Sequence, residues 1–382
     1  MYATYPQWMN PHTSARSHLP TAQQLYDSPF NFASYKPEEI GHLSRRAGRS
    51  YCNDARNKRY LRNDAQQLSN VSFDLLRGYP HKYIRASIKR SQRSMNHILS
   101  WWVACGGQQL GSPGGAASFP TSSRPLNFDF VVRRGHLAKV LVTPHVQYGW
   151  KLAVTLFRGT YFLLEVAEDE DFTEARDRID YMGHKFEHYM TSATPGQAPD
   201  PSGVLDLNDG FYSISKVSLK SHSLLLCAEV DSEDPTVRYL KAPATYVELK
   251  TTQGDPENVS SIKKLRWWAQ SFLGGIPRII AGFKRDDRTV EKCRIFQVTQ
   301  DGLTQTVSRS WAAPDFWKPA VCMNFLDAFL SFVKEVVTED NPELVHVFSF
   351  TPYDAVRYTS KRGPEHCFLL PEYVQHVKAL RR

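Results

Sequence analysis

Residues 224–250 read LLLCAEVDSEDPTVRYLKAPATYVELK, two apolar runs that each end in charge. Short apolar runs between polar turns predict buried strands. The first, LLLCAEVD, closes on Glu229 and Asp231; the second, YVELK, carries Glu248 and Lys250, giving the spacing Asp-x16-Glu-x-Lys. Side chains on a strand repeat every two residues, so Glu248 shares a face with Lys250, and Glu229 shares one with Asp231. If the strands are neighbours, these carboxylates and the ammonium converge at one spot. Carboxylate oxygens are hard donors suited to Mg2+ or Mn2+, and they repel one another until a cation joins them. A metal held there polarises a phosphoryl oxygen and acidifies a bound water, while a lysine orients that water or neutralises charge on the phosphate. The competing reading is a pair of strands ending in solvated charges, with Lys250 in a surface ion pair.

The flanking sequence continues this texture. FDFVV (128–132), AKVLVT (138–143), KLAVTLF (151–157) and TYFLLEVA (160–167) predict strands. So do GFYSISKVSL (210–219), PRIIAGFK (277–284), KCRIFQVT (292–299) and VHVFSF (345–350), the last expected strand. Helices are predicted over 83–104, about 170–191, 262–274 and 323–337. In the first of these, Ile84, Ile88, Met95, Ile98, Leu99, Trp102 and Val103 recur at three- and four-residue steps, opposite Arg85, Lys89, Arg90 and Arg93. Five glycines and three prolines in 105–125 predict a long surface loop, and TSATPGQAPDPSG (191–203) predicts a second. Both loops lie inside one mixed α/β catalytic domain, residues 26–382, and residues 1–25 are expected to be a mobile tail.

The composition supports a large core, with 41% hydrophobic and 12% aromatic residues. No apolar run is long enough for a transmembrane helix, and the first residues lack the order of a secretory signal. The six cysteines form no CxxC pair, and the 13 histidines show no zinc-binding spacing, so reduced thiols and no structural zinc are expected. The net charge of +8 is unevenly spread: residues 1–140 hold 19 Lys/Arg against 7 Asp/Glu, and the remainder hold 28 against 32. A basic third beside a slightly acidic remainder suggests one face for a polyanion and another for metal.

Three further segments offer candidate residues. Gly183-His-Lys-Phe-Glu187 ends in a glutamate, and Glu165, at the end of TYFLLE, competes with it as a fourth carboxylate. Arg133-Arg134-Gly135 puts an arginine fork after a predicted strand, a suitable place for bidentate phosphate binding. In KKLRWWAQSFLGGIPRIIAGFK (263–284), Gln270 sits between tryptophans and Phe272, an awkward place for an unpaired amide. The tryptophans themselves suit helix–sheet packing.

Taken in order, Arg134-Gly, Gly183-x-x-x-Glu187, Glu229-x-Asp231, Glu248-x-Lys250 and the WWAQSFLGGIPRIIAGF run resemble the DXO-type decapping nuclease family. The likeness is clear over residues 126–290 and weaker near PEEIGHLS and toward the C-terminus. It implies a mixed α/β (α+β) fold of two sheets, mixed and largely antiparallel, flanked by helices, with the active-site pocket between them around a restriction-nuclease-like core. It also implies that Glu187, Glu229, Asp231, Glu248 and the Leu249 carbonyl hold two Mg2+ or Mn2+ ions. Lys250 and Gln270 would position water or the scissile phosphate, and Arg134 would bind RNA 5′ phosphates. The family removes pyrophosphate from 5′-triphosphate RNA or releases unmethylated or NAD caps, and some members degrade RNA from the 5′ end. Its fungal nuclear branch partners the 5′→3′ exoribonuclease Rat, which makes such a partner and a nuclear address the expectation, with a cytoplasmic address as the alternative. Two other readings stand beside it: a DNA endonuclease of the Asp-Glu-x-Lys type, and a non-catalytic activator scaffold for a nuclear exoribonuclease.

Overall fold

In the computed structural model, which describes residues 15–16, 19–46, 50–87, 95–105, 126–166, 172–237, 239–305 and 317–379, the first apolar run forms the strand His222–Glu229. From Leu224 to Ala228 it is buried on both faces, which explains a continuous rather than alternating apolar run. Leu224 and Leu226 face a core shared with the helices Arg134–Leu141 and Pro319–Val336. Leu225 and Cys227 face the opposite core, shared with Asn96–Ala104 and Pro371–Ala379. The strand therefore lies inside a sheet covered by helices on both sides.

Among the described residues that sheet has ten strands. From one edge they are Ala15–Arg16, Arg357–Arg362, Leu344–Phe350, Trp150–Phe157, Thr160–Glu165, Phe130–Arg133, His222–Glu229, Gly210–Leu219, Glu38–Arg46 and Ser50–Cys52. Phe130–Arg133 runs parallel to both of its neighbours, and the other pairings are antiparallel. The second run, Tyr246–Gln253, belongs to an eight-stranded sheet, between Ser232–Glu233 and the parallel strand Arg278–Lys284. Helix Glu174–Met190 lays Met182, Phe186, Tyr189 and Met190 on Val247, Leu249 and Ile280 of this sheet. Helix Ser261–Leu273 bridges the two layers: Trp267 packs on Ile279 and Phe296, while Leu265, Trp268 and Leu273 join the core of the larger sheet.

The chain passes from one sheet to the other within two residues. Glu229 ends a strand of the larger sheet, and Ser232 starts one in the smaller. The junction is sealed by Phe211, Val230, Tyr246 and Ile276, each at most 6% exposed.

Several expectations are corrected. AKVLVT is not a strand but the second half of helix Arg134–Leu141, continued by the turn Thr143–His145. Its buried residues Leu137, Val140 and Leu141 follow the three- and four-residue period, which a short β-branched run conceals. The helix predicted from Tyr83 begins only at Asn96. Tyr83–Ile84 instead pairs in parallel with Leu205–Asp206, and residues 88–94 lie outside the described residues. VHVFSF is not the last strand: Arg357–Arg362 comes after it, half-exposed and polar, without an apolar signal to announce it. Helix Ala22–Leu25 starts with a Thr21–Gln24 capping box, and Leu19 and Leu25 pack on the core, so the mobile tail expected to residue 25 does not hold for 19–25. The loop expected over 105–125 lies, from 106 on, outside the described residues.

Candidate active site

The second sheet brings Glu248 and Lys250 onto one face of Tyr246–Gln253, as strand periodicity requires. Lys250 Nζ donates to Glu248 Oε1, and Arg134 Nη1 donates to Glu248 Oε2 at 3.0 Å. Arg134 is the first residue of its helix and is 3% exposed; Glu248 is 1% exposed. A Cβ on Gly274 would stand 3.1 Å from the Arg134 side chain, so the glycine leaves room for this buried guanidinium. With both cations on it, Glu248 stays below the usual carboxylate range: burial alone would raise it, and the Arg134 and Lys250 charges outweigh burial. Burial acts against the Lys250 ammonium, but the Glu248 and Asp231 charges reverse the effect and raise its pKa.

Asp231 lies in the crossing between the sheets. It is in no strand: the apolar run before it, which the sequence suggested as the neighbour of the Glu248 strand, belongs to the other sheet and ends at Glu229. The short strand Ser232–Glu233 after it pairs with Tyr246–Gln253, which brings Asp231 beside Glu248. Asp231 Oδ2 accepts from the Leu249 N–H at 2.8 Å, midway along the strand that holds Glu248 and Lys250. Burial, then the negative charges of Glu248 and Glu187, hold its carboxyl well above the usual range. Glu187 comes from helix Glu174–Met190, whose Phe186 ring presses on Gly282; a Cβ there would stand 2.6 Å from that ring. His184 Nδ1 lies 3.2 Å from Glu187 Oε2. Burial lowers the imidazole pKa, but the Glu187 charge, helped by Glu229 and Asp231, drives it up to about 9. Glu229 is exposed to the cavity and accepts from the Tyr212 hydroxyl at 3.4 Å, while the Arg45 guanidinium sits 5.6 Å from the Tyr212 ring centre.

These side chains, with Gln270 and Leu249, border one cavity of about 930 Å3 between the two sheets. Every candidate residue from the sequence is on its wall: Arg134, Glu187, Glu229, Asp231, Glu248, Leu249, Lys250 and Gln270. Glu165 borders it too, but is engaged by Lys139 Nζ and lies 3.5 Å from His136 Nε2. Sequence reasoning missed His184, Arg45 and Tyr212. The first was legible as a helical i, i+3 neighbour of Glu187 inside a segment already singled out. The other two belong to distant strands, and only sheet pairing brings them to Glu229.

The donor set is all oxygen, and Asp231 resists ionisation first through burial and then through its carboxylate neighbours, so the residues fit a hard divalent cation. Among the described residues no three acidic, His or Cys side chains yet stand close enough together to hold one. Glu248 is instead turned to Arg134 and Lys250.

An aspartate, then Glu-x-Lys on the next strand of an enclosed sheet, is the arrangement of PD-(D/E)XK nucleases, and the family model described as RAI1-like PD-(D/E)XK nuclease matches residues 35–374. The chain belongs to that family. The decapping and exoribonuclease protein of Bos taurus is 38% identical over 371 residues, covering 94% of this chain and 89% of its own. Among solved structures, Rai1 of Scheffersomyces stipitis superimposes with a TM-score of 0.71 at 19% identity, covering 92% of this chain and 99% of that one. Rai1 of Candida albicans, solved with pU5 and Mn2+, gives a TM-score of 0.67 at 17% identity, covering 91% and 95%. The fold and the membership expected from the motifs hold. The Bos taurus relative is an animal protein and the two solved structures are fungal, so the comparisons show the family and not one branch of it.

Proposed function

We propose that this chain hydrolyses the 5′ end of RNA, releasing pyrophosphate from a triphosphate end or a cap nucleotide from a defective end, and removing nucleotides 5′→3′ from a monophosphate end. The observation that carries the proposal is the contiguous set Arg134–Glu248–Lys250 with Asp231 on one wall of the cavity between the sheets. Glu187, Glu229, Asp231, Glu248 and the Leu249 carbonyl would hold Mg2+ or Mn2+, which supplies Lewis acidity and an acidified water. Arg134 presents a fixed guanidinium toward the terminal phosphates, although its tie to Glu248 means that it shapes the site as well as binding substrate. Lys250 keeps its proton and sets positive charge where the phosphorus takes up negative charge. Gln270 offers an amide to the water or to a phosphate oxygen. In the reaction, water adds to phosphorus as the P–O bond to the leaving group breaks, and the leaving oxygen takes the proton.

The test is to incubate the purified protein and Mn2+ with 5′-triphosphate RNA, 5′-monophosphate RNA and plasmid DNA. Pyrophosphate or nucleotide release from RNA, with intact DNA, is the expected result. Cleaved DNA with untouched RNA would favour the endonuclease reading, and inertness toward all three would favour the scaffold.

The partner and the address belong to this proposal as well. A pyrophosphohydrolase leaves the 5′ monophosphate that a 5′→3′ exoribonuclease requires, and tethering the two raises the effective concentration of that product. We place the chain in the nucleus with such a partner. Sedimentation of an equimolar mixture checks it: one faster species is expected, and two independent species at micromolar concentration would mean that the chain works alone.

A further inference from the structure

The cavity rim carries an apolar patch that the reacting groups do not use. Phe172, Val204 and Ile84 are 71%, 55% and 47% exposed. Tyr83–Ile84 and Leu205–Asp206 form a small parallel sheet, whose pleat turns Tyr83 and Leu205 into the core and leaves Ile84 and Val204 outside. Val204 lines the cavity, and so do Ala86 and Ser87, directly after Arg85. Phe172 is joined to this rim by Arg85, whose guanidinium lies 5.7 Å from the Phe172 ring centre and 5.1 Å from that of Tyr83. Arg85 is itself held: Nε and Nη2 donate to the two oxygens of Asp177 at 2.8 and 2.6 Å. The Tyr79 hydroxyl donates to the same carboxylate at 2.8 Å. A phenyl ring is thus braced by a fixed cation while most of its surface faces solvent.

We propose that Phe172, braced by Arg85, is a stacking platform for a base of the single-stranded RNA whose 5′ end occupies the cavity. This rests on the 5′-end reading and adds to it where the later nucleotides go. Asp177, Asp180, His184 and Glu187 recur at three- and four-residue steps, one stripe along the helix, and the last three line the cavity. Ten residues of helix from Asp177 to Glu187 cover about 15 Å. For a strand whose bases stay stacked, advancing ~3.4 Å each, the ring meets roughly the fourth or fifth base.

The chemistry of the rim favours RNA over a protein partner. Three apolar side chains fall short of the ~800 Å2 per partner that a stable protein interface buries. Exposed aromatic surface next to fixed cations suits a single strand, because every base offers a π face and every linkage a charge. The cations are at hand: Arg45 donates to the carbonyls of Asn208 and Leu207 at 3.0 and 2.8 Å, and Arg46 is its neighbour on the cavity wall.

The test measures binding of two- and ten-nucleotide 5′-monophosphate RNAs, with calcium in place of manganese, to the wild type, Phe172→Ala and Phe172→Trp. In the wild type the longer RNA binds more tightly, and 2-aminopurine at the fourth or fifth position is quenched more than at the second or ninth. Phe172→Ala shrinks the advantage of the longer RNA by roughly 5- to 150-fold and abolishes the position-specific quenching, and Phe172→Trp restores both. Equal length dependence in the wild type and the alanine variant, or quenching that ignores position, overturns the platform while RNA hydrolysis by the wild type stands. A wild type that neither binds nor hydrolyses RNA of either length overturns the platform together with the 5′-end reading.

Discussion

Asp231 and Glu248 are both enclosed carboxylates, but their neighbours differ. Glu248 holds two cations, whereas Asp231 accepts one backbone N–H and faces other carboxylates. Asp231→Asn is expected to abolish hydrolysis and to make the metal-free protein slightly more resistant to urea, by about 1 kcal/mol, because like-charge repulsion is relieved. Glu248→Gln should also abolish hydrolysis but should destabilise the fold, since it leaves Arg134 buried beside a neutral amide. Wild-type turnover in either variant would remove these residues from the chemistry. Arg134→Ala should cost about 3 kcal/mol in chemical denaturation as well as substrate affinity, because Glu248 keeps only Lys250. An unchanged denaturation midpoint would show that Arg134 acts on substrate alone. At this scale the sequence was informative in part: charge after an apolar run marked Glu229, Asp231, Glu248 and Lys250, whereas Glu187 was preferred to Glu165 only through the family likeness, and both border the cavity. The bond between Arg134 and Glu248 was not legible, since 114 residues separate them.

Elements were read well where burial was complete on both faces, as in His222–Glu229, or followed one period over several turns, as in Ser261–Leu273. They were misread where the signal was short. Residues 138–143 carry two valines and a leucine in a window that fits either period. Arg357–Arg362 is held by backbone pairing to Leu344–Phe350 and has little apolar content to betray it. The element that matters most to the site is Glu174–Met190, because it alone brings Glu187 to the sheet that carries Glu248. Its seat depends on Gly282 in Arg278–Lys284, where a methyl group would collide with the Phe186 ring. Gly282→Ala should therefore destabilise the protein by about 1–3 kcal/mol, through overpacking. It should also weaken Mn2+ affinity, because the helix must shift outward with Glu187. Calorimetric titration of Mn2+ together with urea denaturation tests this, and loss of stability with unchanged metal affinity would separate the helix seat from the site.

For the whole molecule, the paired sheets were foreseen only through the family likeness, since no local pattern says that two consecutive strands belong to different sheets. The place where they part, Val230, with the packed side chains of Phe211, Tyr246 and Ile276 around it, carries a consequence for the polymer. The protein's own backbone and a dry plug of side chains cross behind the reacting groups, so the cleft is a cul-de-sac on that side. A nucleic acid strand laid through it like thread through a needle would have to pass where the main chain already runs. On the proposed function, a strand that leads with a terminus is the one expected to enter, and end selectivity would then follow from topology before any phosphate is recognised. A covalently closed circle of single-stranded RNA should survive in Mn2+ while the same sequence, opened and bearing a 5′ phosphate, is consumed. Gel analysis distinguishes the two outcomes, and a circle linearised as fast as its open form is degraded would show that the cleft is open at both ends.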